Sequence, residues 1–581
     1  MNYTIRLAAA ALLGASAAAT AGAQQLNKEI TVEREVVPIQ REATRLNFMP
    51  AISLPPLAIQ RLSPSDRAIT ARVPAGITVL DPAAWSDSIY VSPYRGYASI
   101  GFMPLYNAML SAGYRIVDNS TTRVGAWLQY DGTVYTSRHT TTYDAHVTDK
   151  KYIRDNTATA GIYASQRVGA SSELSGEFDY TYTRYNQVAY RGIYVPVGTP
   201  TLDSGEYLWH NQSVNRLNAD LGWKSTINDL GYGFRAGYSR FAFGTGRKAS
   251  YKIIDLSPEK ENNFRFGADL SADFDAGSFA LLDIDFSGLS TSSLIDHMYN
   301  DKELKDYSTW LLRFSPSYAY RSGVFDIKLG ARIDLTHNSG KAFHIAPDVK
   351  LAVNPSPMFA FEVSAGGGEW QNTLGSLFAI GRNIDTWTAY SNSHIPLTVD
   401  ARLRIGPRSG LYGELSGSYA RANDWLMPAD DGYFGNMRFY QQNIKGFRFG
   451  AAVGYRWSAI LDARVEWQTA KNDAYKGYYL WRDRARNVID ASIKVNPIEK
   501  LSVDLGFTLR TDRRTFTHMD GGPSMIPLGD VRNLSLGATY RLTPSVSVFV
   551  EGENLLNHRY STVDYYESQG ITGLAGASFK F

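Results

Sequence analysis

The nine histidines are the first place to look for chemistry, because an imidazole ring serves as a metal ligand or as a general base. They are scattered singly along the chain, and no two stand at the short spacing that metal-binding motifs use. The sequence also contains no nucleophile elbow, zinc-protease histidine pair or phosphate-binding glycine loop. The histidines are His139, His146, His210, His297, His337, His344, His394, His518 and His558.

Acidic residues give no stronger signal. Asp430-Asp431-Gly432 offers oxygen ligands to a cation, but a solvated acidic turn is the commoner meaning of such a run. A nucleophile and a base brought together from separate strands would leave no trace in the spacing. We therefore expect no catalytic residue, no metal site and no cofactor, and we expect the protein not to be an enzyme.

Aromatic side chains give a clearer pattern, because they concentrate in four long segments between stretches of regular alternation. Such rings stack on sugars or become buried in a protein partner, since they offer a large contact area at low entropic cost. The less specific interpretation is an aromatic girdle, or packing of loops over a pore mouth. The candidate contact residues are Trp209, Trp370, Trp387, Trp425, Tyr433, Tyr479 and Trp481.

Between these segments, apolar and polar residues alternate with a period of two, which indicates β-strands. Leu501, Val503 and Leu505 alternate with Ser502 and Asp504, and the same pattern recurs in many stretches from residue 95 onward. Side chains of a strand point alternately to its two faces, so one face would meet lipid and the other water. The pattern is typical of strands that cross a membrane.

Ten short turns of glycine, proline, asparagine, aspartate or serine separate pairs of these strands. Counting back from the C-terminus gives about 22 strands, within a range of 20 to 24, the first near Tyr97. The predicted fold is all-β, a transmembrane antiparallel up-and-down β-barrel over residues 95–581, with short periplasmic turns and long extracellular loops. The turns are expected at 118–120, 168–172, 228–230, 275–277, 321–323, 354–357, 406–409, 456–459, 496–499 and 543–544; the loops at 137–154, 185–212, 245–261, 290–307, 368–394, 421–442, 470–483, 511–528 and 556–570.

The N-terminus predicts export. Arg6 precedes an apolar run that is too short to span a bilayer, and Ala21-Gly22-Ala23 is a small-residue cleavage site, so residues 1–23 form a signal peptide cleaved before Gln24. The chain has no cysteine, which excludes a lipoprotein anchor and disulfides. The net charge of +3 shows no basic block, so nucleic acid is not an expected partner. Together with the barrel, these features predict the outer membrane.

Residues 24–94 form a separate region with eight prolines, which predicts an extended periplasmic arm or a partial filler of the lumen. Within it, Glu29, Ile30, Thr31 and Val32 form a short extended segment that could pair with the strand edge of another protein. An ordinary extended linker explains the same residues.

The closing hairpin carries a family resemblance. Residues 548–560, Val-Phe-Val-Glu-Gly-Glu-Asn-Leu-Leu-Asn-His-Arg-Tyr, followed by a glycine-alanine strand that ends at Phe581, resemble the C-terminal end of TonB-dependent receptors. That resemblance implies a wide 22-stranded barrel, in agreement with the count. It also makes Glu29–Val32 similar to the box through which these receptors contact TonB. Phe579 and Phe581 resemble the terminal aromatic signal read by the barrel assembly machinery.

One departure from the family bears on function. Its members carry a globular plug inside the barrel, and residues 24–94 are too short and too proline-rich to resemble one. A barrel of this width conducts unless something fills it. The first hypothesis is solute uptake or transport across the outer membrane, with TonB or a surface lipoprotein as partner. The second is a structural scaffold in an envelope complex with an occluded lumen.

Overall fold

The computed structural model describes residues 94–103, 107–140, 148–191, 206–244, 260–275, 277–292, 307–337, 340–382, 391–430, 437–472, 485–519, 522–560 and 567–581. The predicted signal peptide, the arm before Tyr94 and the segment Glu29–Val32 lie outside these residues. In the described part of the chain, no helix is long and apolar enough to cross a membrane.

Within the described residues, strands account for nearly all of the regular structure, and one short helix, α1, lies between two of them. The elements are β1 (Gly96–Met103), β2 (Asn107–Asp118), β3 (Thr122–Thr140), β4 (Thr148–Val168), β5 (Ser172–Arg191), β6 (Glu206–Ile227), β7 (Leu230–Phe243), β8 (Lys260–Asp275), β9 (Ser278–Ser292), β10 (Tyr307–Arg321), β11 (Phe325–His337), β12 (Phe343–Ser356), β13 (Phe359–Trp370), α1 (Leu374–Ile380), β14 (Ser393–Ile405), β15 (Gly410–Asp430), β16 (Met437–Trp457), β17 (Leu461–Asn472), β18 (Ala485–Ile498), β19 (Leu501–Met519), β20 (Gly522–Leu528), β21 (Val531–Arg541), β22 (Val546–Glu553) and β23 (Thr572–Lys580).

The strands close into one antiparallel ring. Each strand pairs with the next, except that β20 and β21 do not pair with each other. Both pair with β19, so these two segments form one interrupted strand of the wall. The ring closes between β1 and β23, where Tyr97 lies opposite Lys580. The result is a closed barrel of 22 strands. The predicted fold class and the predicted strand count are confirmed.

The outward face explains why these residues form a membrane barrel. On β16 the side chains of Phe447, Phe449, Val453 and Trp457 are all at least half exposed, as the alternation predicts. Similar apolar side chains surround the barrel, for example Leu221 on β6, which is 64% exposed. A continuous apolar belt of this kind is stable against lipid and unfavourable in water.

All ten predicted short turns join consecutive strands at one end of the barrel. Their residue types follow from the backbone. Asn228, between β6 and β7, has φ of 53°, which asparagine tolerates better than most residues. Gly277 has φ of 97°, and a Cβ there would lie 2.1 Å from the carbonyl oxygen of Arg321, so only glycine fits. We call the opposite end, where the long connections lie, the loop end.

Several strands run further toward the loop end than predicted. The β5–β6 pairing continues to Arg191 and Glu206, and the β15–β16 pairing continues to Asp430 and Met437. The predicted loops at 185–212 and 421–442 are therefore partly strand. Hairpin pairing satisfies the backbone hydrogen bonds in water as well as in lipid, so the strands need not end where the apolar alternation ends.

The terminal Phe581 packs where the ring closes between β1 and β23. Its backbone exchanges hydrogen bonds with Gly96, at 2.6 and 3.0 Å, and its ring stacks on Tyr114 at 6.2 Å. The ring is 59% exposed on the outward face, so a serine would keep the backbone bonds and lose the apolar contact.

We expect Phe581→Ser to lower the amount of folded barrel in the outer membrane, measured by heat-modifiable migration on gels. Phe325→Ser is the matched control, because Phe325 lies on the outward face at the same end of the barrel and is 44% exposed. Equal loss in both variants would mean that the terminal position has no special role.

Candidate functional site

The inner wall of the barrel is polar and charged. Arg235 on β7 reaches three carboxylates of β8 and β9, with its Nη2 atom 2.8 Å from Asp269, 2.7 Å from Asp283 and 3.3 Å from Asp285. Lys328 on β11 likewise forms a 2.6 Å ion pair with Asp348 on β12. Such a wall favours a water-filled lumen.

Residues 371–382, which follow β13, leave the wall and turn into this lumen. We call the connection 371–392 the inner loop. The structure describes residues 371–382 and 391–392 of it. The sequence prediction placed 368–394 among the extracellular loops, and its described part instead packs against inward-facing side chains of the wall. The side chains that it contacts on β5 to β8 alternate with the lipid-facing aromatic residues of the same strands.

The first end of the inner loop is set by three consecutive glycines. The pairing of β13 with β14 shifts register between Gly366 and Gly368. Gly368 has φ of 123°, and a Cβ on it would lie 2.7 Å from Cδ of Arg332. A Cβ on Gly367 would lie 2.5 Å from the carbonyl oxygen of Ile395. Only residues without a side chain allow the strand to bend inward this closely to the wall.

Buried charges hold the bend in place. Arg313 donates two hydrogen bonds to Asp334, at 2.6 and 2.9 Å, and a third of 2.6 Å to the carbonyl oxygen of Glu369. Asp334 accepts a further bond of 2.6 Å from the backbone N–H of Glu369. Arg332 donates to the carbonyl oxygen of Gly367. The charged wall therefore binds the backbone of β13 at the point where the inner loop begins.

Helix α1 forms because its N-terminus is capped from two sides. Thr373 and Ser376 form a reciprocal capping box, each side chain accepting from the other residue's backbone N–H at 2.9 Å. The N–H of Leu374 donates to Glu261 on β8, at 2.6 Å. Gln371 accepts a hydrogen bond of 2.6 Å from Ser287 on β9. These contacts fix the helix against one side of the barrel.

The apolar face of α1 belongs to a buried cluster that includes side chains from distant parts of the wall. Tyr185 of β5 and Phe439 of β16 lie in the same cluster, although these strands are about half a turn apart in the ring of strands. The inner loop thus bridges the lumen near the loop end. The members are Tyr185, Val214, Phe241, Phe243, Leu374, Leu377, Phe378, Ile380, Leu426 and Phe439.

Phe378 is the central residue of the cluster and is only 1% exposed. Its ring centre lies 5.6 Å from that of Tyr185 and 5.5 Å from that of Phe241. The guanidinium carbons of Arg216 and Arg382 lie 5.0 and 4.7 Å from the same ring centre. Phe378 therefore combines aromatic packing with cation–π contacts.

The far end of α1 and the returning end of the inner loop are also tied to the wall. Arg382 forms a 2.8 Å ion pair with Asp155 on β4, and its carbonyl oxygen accepts from Tyr185 at 2.9 Å. Ser391 exchanges hydrogen bonds with Gln441 on β16, at 3.0 and 3.1 Å. The loop is therefore attached on opposite sides of the barrel.

Three potential metal ligands meet where the inner loop begins and ends. His344 on β12, Glu369 on β13 and His394 on β14 lie on adjacent strands, and their ligand atoms are all within 4.8 Å of one another. Sequence reasoning missed this cluster, because 25 residues separate each ligand from the next along the chain. The in-register pairing of Glu369 with His394 brings them together, and sequence spacing gives no signal of it.

The residues predicted to make extracellular aromatic contacts are dispersed. Trp370 ends β13 beside the inner loop, and Trp425 lies on β15, where it is 8% exposed. The backbone at Trp209 is part of β6. Trp387, Tyr433, Tyr479 and Trp481 lie outside the described residues. Phe579 and Phe581 are both exposed on the outward face.

Comparisons with solved structures show that two receptors and a transporter share this barrel fold. A mutant of the ferric enterobactin receptor PfeA from Pseudomonas aeruginosa matches with a TM-score of 0.61 and 10% identity, over 84% of this chain and 80% of that one. The siderophore receptor PirA from Acinetobacter baumannii matches with a TM-score of 0.59, 10% identity and the same coverages. The FrpB iron transporter from Neisseria meningitidis matches with a TM-score of 0.62 and 10% identity, over 84% of this chain and 81% of that one.

No protein-family model matches the sequence, and no curated protein does. The likeness to solved structures therefore concerns the fold. It confirms the receptor-like barrel that the closing hairpin implies.

Proposed function

We propose that this protein lies in the outer membrane and takes up a solute, with the inner loop as the gate of its lumen. The single observation that carries the proposal is the bridging of a polar lumen by a loop tied to opposite walls. A barrel of 22 strands is wide enough to pass a sizeable solute when such a loop moves. The fold similarity to receptors and a transporter named for siderophores or iron supports uptake over export.

The proposed route runs from the loop end to the end with the short turns. The attachments of the inner loop are of two kinds: an apolar cluster around Phe378, and polar bonds at Glu369, Arg382 and Ser391. A solute that competes for the polar contacts would weaken the docking of α1 and shift the loop toward an open state. The charged wall then offers a hydrated path.

The N-terminal region has a proposed role in energy supply. After cleavage before Gln24, the proline-rich residues 24–94 would extend into the periplasm, and Glu29–Val32 would pair with a strand of TonB. The aromatic residues at the loop end would contact the solute or a surface lipoprotein, and the barrel assembly machinery would recognise Phe581. These assignments rest on the sequence.

Conductance in planar bilayers tests the gate. We expect the purified protein to show little or no current. A variant in which residues 374–380 are replaced by a glycine-serine linker of the same length should show stable channels, because the linker cannot form the apolar cluster. Replacing seven residues of the 473–484 connection by the same linker is the control, and it should leave the current unchanged.

Two outcomes would contradict the gate. Large currents in the unmodified protein would mean that the inner loop does not close the lumen. A barrel that remains closed after loss of α1 would favour the scaffold hypothesis, and co-purification of a stable partner from mild detergent would then support it.

A further inference from the structure

We propose that His344, Glu369 and His394 form a binding site for one divalent transition-metal ion, and that the ion fastens both ends of the inner loop to the wall. The site does not depend on the transport proposal. It rests on the position, burial and spacing of these three side chains.

The distances fit a metal centre better than direct hydrogen bonding. Oε2 of Glu369 lies 3.6 Å from Nε2 of His344 and 3.4 Å from Nδ1 of His394. These values exceed the usual range for a nitrogen–oxygen hydrogen bond. Two ligands that each lie about 2.1 Å from a tetrahedral ion are roughly 3.4 Å apart. Both pairs therefore already stand at the separation that a shared ion requires.

Two of the ligand atoms have no other partner. Oε2 of Glu369 and Nδ1 of His394 are buried and, within the described part of the chain, make no hydrogen bond. The side chain of Glu369 is only 2% exposed. A buried carboxylate oxygen without a partner is costly, and a metal ion would remove that cost.

The ligand set defines the class of ion. Two imidazoles and one carboxylate suit Zn²⁺, Fe²⁺ or Co²⁺, whereas Ca²⁺ and Mg²⁺ prefer oxygen ligands only. The imidazole rings lie with their centres 3.9 Å apart and their planes inclined by 33°. Metal binding would draw the ligand nitrogens of the two histidines together and widen the angle between their ring planes.

The position of the site gives the ion a mechanical role. Glu369 lies two residues before the inner loop, and His394 lies two residues after it. His344 belongs to β12, which remains in the wall. The backbone of Glu369 is already fixed by Arg313 and Asp334. An ion held by all three ligands would join the two ends of the inner loop to each other and to a wall strand.

Metal binding to the purified full-length barrel tests the site. After treatment with a chelator, the protein in detergent is dialysed against Co²⁺, whose visible absorption reports ligand number, and against Zn²⁺. We expect one bound ion per chain and a visible absorption spectrum typical of Co²⁺ with a low coordination number. His394→Gln and Glu369→Gln should each weaken binding by at least about tenfold.

His337→Gln is the matched control, because His337 also ends a strand at the loop end, is exposed, and stacks on Trp310 instead of joining the cluster. It should bind like the unmodified protein. Each variant is first shown to be folded by heat-modifiable migration, so that loss of binding is not loss of the barrel. Binding that is absent in the unmodified protein, or equal in His394→Gln and His337→Gln, would overturn the proposal and leave a metal-free contact of two imidazoles with one carboxylate.

Discussion

Replacing Phe378 by alanine should release the inner loop from the barrel wall while leaving the barrel intact. The side chain is fully buried among Tyr185, Phe241 and Phe243 and contacts two guanidinium groups. Loss of a buried phenylalanine side chain typically costs about 3–5 kcal/mol. The strands that form the wall do not depend on α1 for their hydrogen bonds, so we expect this cost to fall on docking of the loop.

A thiol reporter measures the release. The chain has no cysteine, so Ala379→Cys on α1 would be the only thiol and would change little volume. When opening is rapid, labelling by a membrane-impermeant maleimide follows the population of the open loop. A docking loss of about 3–5 kcal/mol raises the population of the open loop by roughly two to four orders of magnitude. Because Ala379 is half-buried in the docked loop, labelling should rise toward the rate of a fully exposed thiol.

The matched control is Phe266→Ala in the same reporter background. Phe266 is 53% exposed on the outward face of β8, so the same chemical change affects only the lipid-facing belt. Labelling should then stay slow. Equal labelling rates in both variants would show that Phe378 does not hold the inner loop.

The barrel was predictable from the sequence because the patterns that specify it lie within single strands and turns. Alternation along a strand such as Leu501–Leu509 reports directly which face meets lipid, and turn residues such as Asn228 and Gly277 mark where strands reverse. Each wall strand pairs with a neighbour in the ring, so the order of the strands follows the order of the chain. Local patterns therefore fix the number and order of the strands.

The candidate site was not predictable in the same way, because it depends on contacts between distant strands. His344, Glu369 and His394 meet only through the register of β12, β13 and β14. The inward course of the inner loop has two local signs: the glycines at 366–368, and an apolar stretch that follows the capping residue Thr373. Neither sign tells which wall residues the helix will meet.

Arg313→Met should destabilise the barrel and loosen the inner loop together. Asp334 is 0% exposed, and Arg313 is its bidentate partner. Removing one member of a buried pair leaves an uncompensated charge, at a cost of about 3–5 kcal/mol. We expect a lower temperature for loss of the heat-modifiable form, together with faster labelling of Cys introduced by Ala379→Cys. Arg456→Met is the control, because the Arg456–Asp462 pair has similar distances but is 45% and 42% exposed, where ion pairs contribute at most about 1 kcal/mol.

The double variant Arg313→Met with Asp334→Leu separates the two effects. Replacing a whole buried ion pair by apolar side chains of similar size is often neutral, so barrel stability should recover. The backbone of Glu369 would still lack both its donor from Arg313 and its acceptor on Asp334, so labelling of the loop should remain fast. Slow labelling in the double variant would show that the pair stabilises the wall alone. Fast labelling in a stable barrel would assign Arg313 and Asp334 to holding the loop at the point where it leaves β13.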